Sequence, residues 1–160
     1  MLLVLDIGNT MTDLGVFDGD KLLKTFKTKS NTERSLDEYR VLFSSFLKRE
    51  AAHFSFSRAI ISSVVPPLTR VWDRVCKDIL GIRPLILGPG LKTGLKLAVE
   101  NPIEVGSDLV ADAVGATSIF GNKLFIADLG TANKYIYVDE RGSFGGCAIA
   151  PGLLLSMNAL

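Results

Sequence analysis

Two segments of the chain share a pattern in which an aliphatic run ends in aspartate, a second aliphatic residue, glycine and a turn containing threonine. They occupy residues 2–10 and 123–132. The four aliphatic residues at positions 2–5 are typical of a strand covered on both faces, and Gly, Asn and Thr favour a turn. Each segment precedes two further stretches of strand character, so the sequence predicts a duplicated antiparallel meander. No other feature constrains the fold as strongly.

The first of these turns carries groups that can bind metal or phosphate. The Asp6 carboxylate can hold a metal ion, Gly8 allows close backbone approach, and the side chains of Asn9 and Thr10 can hydrogen-bond phosphate oxygens. A tight hairpin capped by its own Asp and Asn explains the turn alone equally well. A second such turn, facing the first across a cleft, would allow a nucleotide to be held from two sides.

The segments between the two patterns alternate between helix and strand character. Ser35 and Glu38 are spaced as a capping box at the start of the first helix. Apolar spacings of three and four predict helices over 36–47, 68–79 and 102–121. Strands are predicted over 11–17, 21–28, 59–65, 85–87, 135–139 and 144–150, with a loop over 88–101 and an apolar helix from residue 151.

Composition narrows the classes of function. The 160 residues carry a net charge of +1, which gives no electrostatic case for nucleic acid or an anionic membrane as a partner and favours a small substrate. The chain has neither a continuous apolar run long enough to span a membrane nor a basic leader, so a cytoplasmic location is expected. Cys76, Cys147 and His53 lack metal-like spacing and are interpreted as structural.

The carboxyl-terminal segment is predicted to be incomplete. The apolar helix starting near Gly152 runs to the last residue without a terminating signal, and no further helices follow to cover the second sheet. We therefore expect a fragment of a longer protein, with residues 1–121 forming one subdomain and residues 122–160 beginning a second. An uncovered apolar face of this kind would promote association.

Five segments in the chain form a more specific pattern when they are taken in order. They are residues 6–10, 61–69, 101–108, 128–132 and 145–152. Together these segments resemble the type III pantothenate kinases. The resemblance implies a ribonuclease H-like fold of the actin/hexokinase-like ATPase superfamily, an α/β fold with duplicated mixed sheets and flanking helices. It also implies a homodimer that uses ATP to phosphorylate pantothenate to 4′-phosphopantothenate, the first step of coenzyme A biosynthesis.

The same resemblance assigns roles to the two turns. It implies that Asp6 lies near magnesium and that Asp128 binds a monovalent cation, K⁺ or NH4⁺. It implies that the residues around ATP and its phosphates are Asp6, Ile7, Gly8, Asn9, Thr10, Met11, Thr12, Asp13 and Thr131.

Between the turns, the resemblance makes Asp108 the general base. Such a carboxylate accepts the proton of the pantothenate hydroxyl as the γ-phosphoryl group arrives in line. The pantothenate site would include Val99, Gly106, Ser107, Asp108 and Leu109. The alternative for Asp108 is a structural acid placed at a helix N-terminus by the helix dipole.

Three positions depart from the family pattern. Leu109 stands where an arginine is usual, Val99 where an aromatic residue is usual, and Lys134 among residues that are usually small and hydroxylic. The loss of an arginine removes a guanidinium group that can bind a substrate carboxylate with two hydrogen bonds, whereas the lysine could still contact phosphate. These departures leave two alternatives open, a noncatalytic regulator or accessory protein and a kinase for another small hydroxyl compound.

Overall fold

The computed structural model describes residues 1–159. The chain divides into two compact units, the first from Met1 to Gly88 and the second from Pro89 onward. The sequence placed the boundary at residues 121 and 122 instead. The difference arises because the helix before that boundary packs on the sheet of the second unit.

Unit 1 is a five-stranded mixed sheet with two helices. The sheet order is β3-β2-β1-β4-β5, in which β1 is central, antiparallel to β2 and parallel to β4. The predicted meander is therefore confirmed. The elements are β1 (Leu2–Ile7), β2 (Met11–Asp18), β3 (Lys21–Lys29), α1 (Leu36–Glu50), β4 (Arg58–Ser63), α2 (Pro66–Leu80) and β5 (Leu85–Ile86).

The core of unit 1 lies on one face of β1. Leu3, Leu5 and Ile7 are fully buried and belong to the same apolar cluster as Tyr39 of α1 and Trp72 of α2. The alternate residues at positions 2 and 4 are only half-buried. The expectation of a strand covered on both faces was thus wrong, because alternate side chains of a strand point to opposite faces and only one face carries the helices.

Local sequence explains where these elements start and stop. Helix α1 begins after Ser35, whose hydroxyl accepts from the Glu38 amide while the Glu38 carboxylate accepts from the Ser35 amide, so the capping box is confirmed. The hairpin between β2 and β3 turns at Gly19, which has a φ of 57°. Helix α2 starts at Pro66 and ends at Gly81 in the left-handed conformation.

Unit 2 contains a four-stranded sheet with the order β6-β9-β8-β7. The predicted loop contains the short strand β6, parallel to β9. The third helix begins at Ser107 rather than Pro102, because residues 102–104 form a separate 3₁₀ turn and Gly106 is extended. The elements are β6 (Lys96–Leu97), α3 (Ser107–Phe120), β7 (Leu124–Leu129), β8 (Ala132–Val138), β9 (Ser143–Pro151) and α4 (Leu153–Asn158).

The sheet of unit 2 is covered on one face by α3. Leu109 and Ala113 of that helix form a cluster with three buried sheet residues, Ile136, Val138 and Phe144. The opposite face is exposed and apolar, with side chains at positions 125, 129 and 137. Within residues 1–159, no helix combines the length and apolar character that a membrane span requires.

Candidate active site

A lysine joins two carboxylates in unit 2. Lys134 lies directly opposite Asp128 in the antiparallel pair of β7 and β8, so both side chains rise from the same face of the sheet. Asp108, the second residue of α3, approaches from the helix that covers this face. The Lys134 Nζ donates to Asp128 Oδ2 at 2.6 Å and lies 2.8 Å from Asp108 Oδ2.

This cluster is partly withdrawn from solvent. The side chains of Asp108 and Lys134 are 17% and 21% exposed, and that of Asp128 is 38% exposed. Burial lowers the pKa of Lys134, but hydrogen bonds and charge attraction from Asp108 and Asp128 outweigh burial and raise that pKa above its ordinary value. Lys134 is therefore an ammonium at neutral pH, and it fixes the positions of both carboxylates.

Asp108 has the surroundings expected of either a base or a structural acid. It lies in the first turn of α3, where no side chain caps the helix and the helix dipole favours a negative charge. Its Oδ1 atom accepts from the Leu109 amide at 2.9 Å. A carboxylate held through both oxygens but still partly exposed can accept a proton from a hydroxyl brought to it.

The first turn, in unit 1, brings two acids together. Asp6 is exposed at the end of β1 and lies opposite Asp13 of β2. Asp13 also forms an ion pair with Lys27, at 2.7 Å. The Gly8 amide donates to the Met11 carbonyl at 2.9 Å and closes the turn.

The residues expected around phosphate separate into two groups. Asn9, Thr10 and Met11 are exposed in and beside the turn. Ile7 and Thr12 are fully buried, Ile7 in the apolar core and Thr12 in a 2.8 Å hydrogen bond with Ser30. The side chains of these two buried residues are therefore committed to the interior and are not available to a ligand.

The turn that contains Thr131 is held by Gly152, which lies directly after β9. The Gly152 amide donates to the Thr131 carbonyl at 3.0 Å, and Gly152 is buried. A Cβ at Gly152 would collide with the carbonyl oxygens of Gly130 and Thr131. The absence of a side chain at Gly152 therefore allows the end of β9 to approach the turn closely.

The residues predicted to bind substrate lie at the start of α3 and beside the core of unit 2. Gly106 is the N-cap of α3 and Ser107 its first residue. Leu109 is only 4% exposed and its side chain fills the apolar cluster, against which the half-buried Val99 packs. At Leu109 the family's charged fork is thus replaced by a core side chain.

The sequence did not predict the pairing of Lys134 with the two acids; it indicated only that this lysine could still contact phosphate. The signal that could have revealed it is strand register. Asp128 lies three residues before Thr131 and Lys134 three residues after it, and residues equally far from the centre of a tight turn face each other across a hairpin.

The two turns differ in how well they suit the cations that the resemblance implies. Mg²⁺ is usually held by one or two carboxylates together with substrate phosphates, and Asp6 opposite Asp13 provides such oxygens. The Asp128 carboxylate is already paired with the ammonium group of Lys134, so a free monovalent cation in addition to that ammonium does not fit there. Within residues 1–159, no group of three or more His, Cys, Asp or Glu side chains is placed to hold a metal by itself.

Comparison with known proteins decides the family. A family model for type III pantothenate kinases matches residues 2–160. The chain belongs to this family. It is 44% identical to the type III pantothenate kinase of Geobacillus kaustophilus and 43% identical to that of Geobacter sulfurreducens, in both cases over its whole length. It spans 62% and 63% of the lengths of these two family members.

Solved structures share the fold at low sequence identity. The Ppx/GppA phosphatase of Aquifex aeolicus matches 99% of the chain and 54% of its own, with a TM-score of 0.58 and 13% identity. The activator of the 2-hydroxyisocaproyl-CoA dehydratase from Clostridium difficile, solved with bound ADPNP, matches 94% of the chain and 45% of its own, with a TM-score of 0.52 and 16% identity. The predicted α/β fold of the actin/hexokinase-like class is confirmed.

Proposed function

We propose that this chain provides the phosphate-binding turn and the general base of an ATP-dependent kinase that converts pantothenate to 4′-phosphopantothenate, the first step of coenzyme A biosynthesis. Membership of the type III pantothenate kinase family over residues 2–160 supports the reaction. The observation that carries the proposal is Asp108, a partly buried carboxylate at a helix start whose position is fixed by a lysine.

Unit 1 contributes phosphate binding. The exposed Asn9 and Thr10 side chains are donors suited to phosphate oxygens, on a turn that the Gly8 amide closes by donating to the Met11 carbonyl. Asp6, opposite Asp13, would hold Mg²⁺ together with those phosphates. When bound, the ion neutralises negative charge on the transferred group. In unit 2, Thr131 is exposed and offers a hydroxyl to phosphate.

Unit 2 contributes the proton acceptor. In the proposed step Asp108 accepts the proton of the pantothenate hydroxyl. The hydroxyl oxygen of pantothenate forms a bond to the γ-phosphorus of ATP, and the bond from that phosphorus to the leaving ADP oxygen breaks. Lys134 holds the carboxylate in one orientation, so little reorganisation is needed when the substrate arrives. We propose that the substrate is bordered by Gly106, Ser107, Val99 and the main chain of Leu109.

We also propose that the protein forms a homodimer in the cytoplasm.

The test is Asp108→Asn in the full-length protein. Asparagine preserves the shape of the side chain but accepts a proton poorly, so kcat should fall by about 10²–10⁴-fold. Nucleotide affinity should stay the same. Glu100→Gln, which neutralises an exposed acid of the same unit, should leave turnover unchanged. Full turnover in Asp108→Asn would contradict the assignment.

A noncatalytic role is the second candidate, and one observation favours it. Leu109 buries an apolar side chain where the family usually has a charged fork, which weakens the case for a carboxylate substrate. A protein of this kind would bind nucleotide without transferring phosphate to pantothenate. A panel of small hydroxyl compounds, assayed with ATP, separates this role from a kinase with a different acceptor.

A further inference from the structure

The ammonium of Lys134 lies where the family resemblance places a monovalent cation, at the carboxylate of Asp128. We propose that Lys134 replaces this cation with a covalently attached positive charge, so that the protein neither binds nor requires K⁺ or NH4⁺ at this position. The proposal rests on the contacts of Lys134 with Asp128, at 2.6 Å, and with Asp108, at 2.8 Å. It also rests on the proposed function, which gives these carboxylates their roles.

Charge and position both support the replacement. An ammonium carries the same single positive charge as K⁺, and its three N–H donors serve carboxylate oxygens directly. Strand register places Lys134 opposite Asp128, and α3 brings Asp108 onto the same atom. The ammonium is therefore built into the fold between the helix and the sheet of unit 2.

A free cation has little reason to bind beside this lysine. It would have to share the Asp128 carboxylate with an ammonium already hydrogen-bonded to it, and two like charges at such short range repel strongly. The small hydroxylic residue usual in the family at this position brings no charge of its own. The substitution thus converts a site that must be filled from solution into one that is always filled.

A consequence follows for the phosphate groups. Two carboxylates occupy two of the three N–H donors of Lys134, which leaves one donor for a ligand oxygen. The side chain is 21% exposed, so a ligand can reach the ammonium. The same lysine would then hold the base, neutralise Asp128 and contact phosphate.

The test measures cation binding, so it does not depend on turnover. The melting temperature of the full-length protein is followed as KCl replaces tetramethylammonium chloride at constant ionic strength. Wild type should show no K⁺-specific change. Lys134→Thr, which restores a small hydroxylic residue, should gain a K⁺-specific rise of about 3–6 °C when K⁺ is roughly ten times its dissociation constant, and the rise should continue with the logarithm of the K⁺ concentration.

Lys123→Met is the matched control, because Lys123 is an exposed lysine at the entrance to β7 that lies near Glu140 rather than near Asp108 or Asp128. It should behave as wild type. A K⁺-specific rise in the melting temperature of wild type equal to that of Lys134→Thr would overturn the proposal, as would a folded Lys134→Thr that shows no rise.

If Lys134→Thr fails to fold, the K⁺ titration of wild type shows whether the protein binds a monovalent cation. Thallium(I) NMR of wild type provides a second measurement of such binding. Absence of a bound thallium signal supports the replacement and a bound signal refutes it. Kinase assays run alongside separate the two proposals. A wild type that has no kinase activity at any K⁺ concentration would refute the proposed function. If the melting temperature of the same protein does not respond to K⁺, the present inference stands.

Discussion

The two meanders start from the same sequence pattern but present their aspartates to opposite environments. In unit 1 the helices pack on the face of β1 that carries Leu5, so Asp6 lies on the other face and is exposed. In unit 2 the helix α3 packs on the face that carries Ile126 and Asp128. One pattern therefore produces a solvent-facing acid in the first unit and a helix-covered acid in the second.

The residues opposite these aspartates sharpen the difference. Asp6 faces a second acid, Asp13, whereas Asp128 faces Lys134. Asp13 and Asp128 are each paired with a lysine, Lys27 and Lys134 respectively, whereas the Asp6 carboxylate is exposed and can help to hold a divalent cation brought by a nucleotide. The comparison teaches that the cation preference of such a turn is set by the strand opposite it.

The largest expected effect tests which face of each first strand is buried. Leu5→Ala should lower the free energy of unfolding of unit 1 by about 2–5 kcal/mol, because Leu5 is fully buried and truncation leaves a cavity. Phe125→Ala, on the exposed face of β7, should change stability by no more than about 0.5 kcal/mol. Chemical denaturation of the two variants measures both. Equal losses would break the comparison of the two covered faces.

The next effect concerns how tightly each turn is held. Gly152→Ala should cost about 1–3 kcal/mol, since its new methyl group would collide with the backbone of the Gly130–Thr131 turn. Gly8→Ala should cost less, because its methyl group would lie 3.2 Å from a single carbonyl oxygen, that of Met11. The denaturation midpoints of the two variants show which substitution lowers the stability more.

Gly115→Ala is the control for the glycine variants. It lies inside α3 with open space around its Cβ position, so alanine should stabilise the helix by about 0.5–1 kcal/mol. A larger loss for Gly8→Ala than for Gly152→Ala would show that the second turn does not depend on its distant glycine.

Helix starts give the third contrast. Ser35→Ala should cost about 1 kcal/mol, because it removes the capping box of α1. The N-cap of α3 is Gly106, which has no capping side chain to lose but is preferred over alanine at an N-cap, so Gly106→Ala should cost somewhat less, about 0.5–0.7 kcal/mol. Thermal unfolding of the two variants provides the measurement, and a loss at Gly106 as large as that at Ser35 would argue for a role of its backbone in the substrate site.

The smallest effect is a pH dependence carried by Cys76. Burial raises the pKa of this thiol from 9.0 to about 12, so the folded state keeps a proton that the unfolded state loses above pH 9. Its contribution is complete below pH 9 and should fall by roughly 1 kcal/mol between pH 9 and pH 10. Denaturation at both pH values should show this fall in wild type but not in Cys76→Ala. Cys147→Ala, at an exposed cysteine, should retain it.

Local patterns in the sequence predicted most of the fold. The capping box at Ser35, the hairpin at Gly19 and the repeated meander depend on contacts between near neighbours, so short segments encode them. The two-residue strand β6 and the boundary at Gly88 were not predicted. Both depend on pairing or packing with distant residues, which periodicity does not report.

The candidate site was predicted in its residues but not in its electrostatics. Asp6, Asp108 and Asp128 were identified from motifs, and their roles as phosphate, base and cation residues stay predictions. The burial of Leu109 and the contact of Lys134 with Asp108 were not foreseen, since both depend on α3 packing on the second sheet. The contact of Lys134 with Asp128 follows from the register of β7 and β8.

The sequence by itself determined the repeated pattern of strand, aspartate and glycine turn, the helix starts and the family, because these reside in short runs of residues. Only the tertiary structure decided which face of each sheet is covered and which helix residue joins the pair of Asp128 and Lys134. Alternation along a strand marks two faces without saying which of them a helix will cover. That choice brought Asp108 to the Lys134 ammonium, and it left Asp6 in solvent.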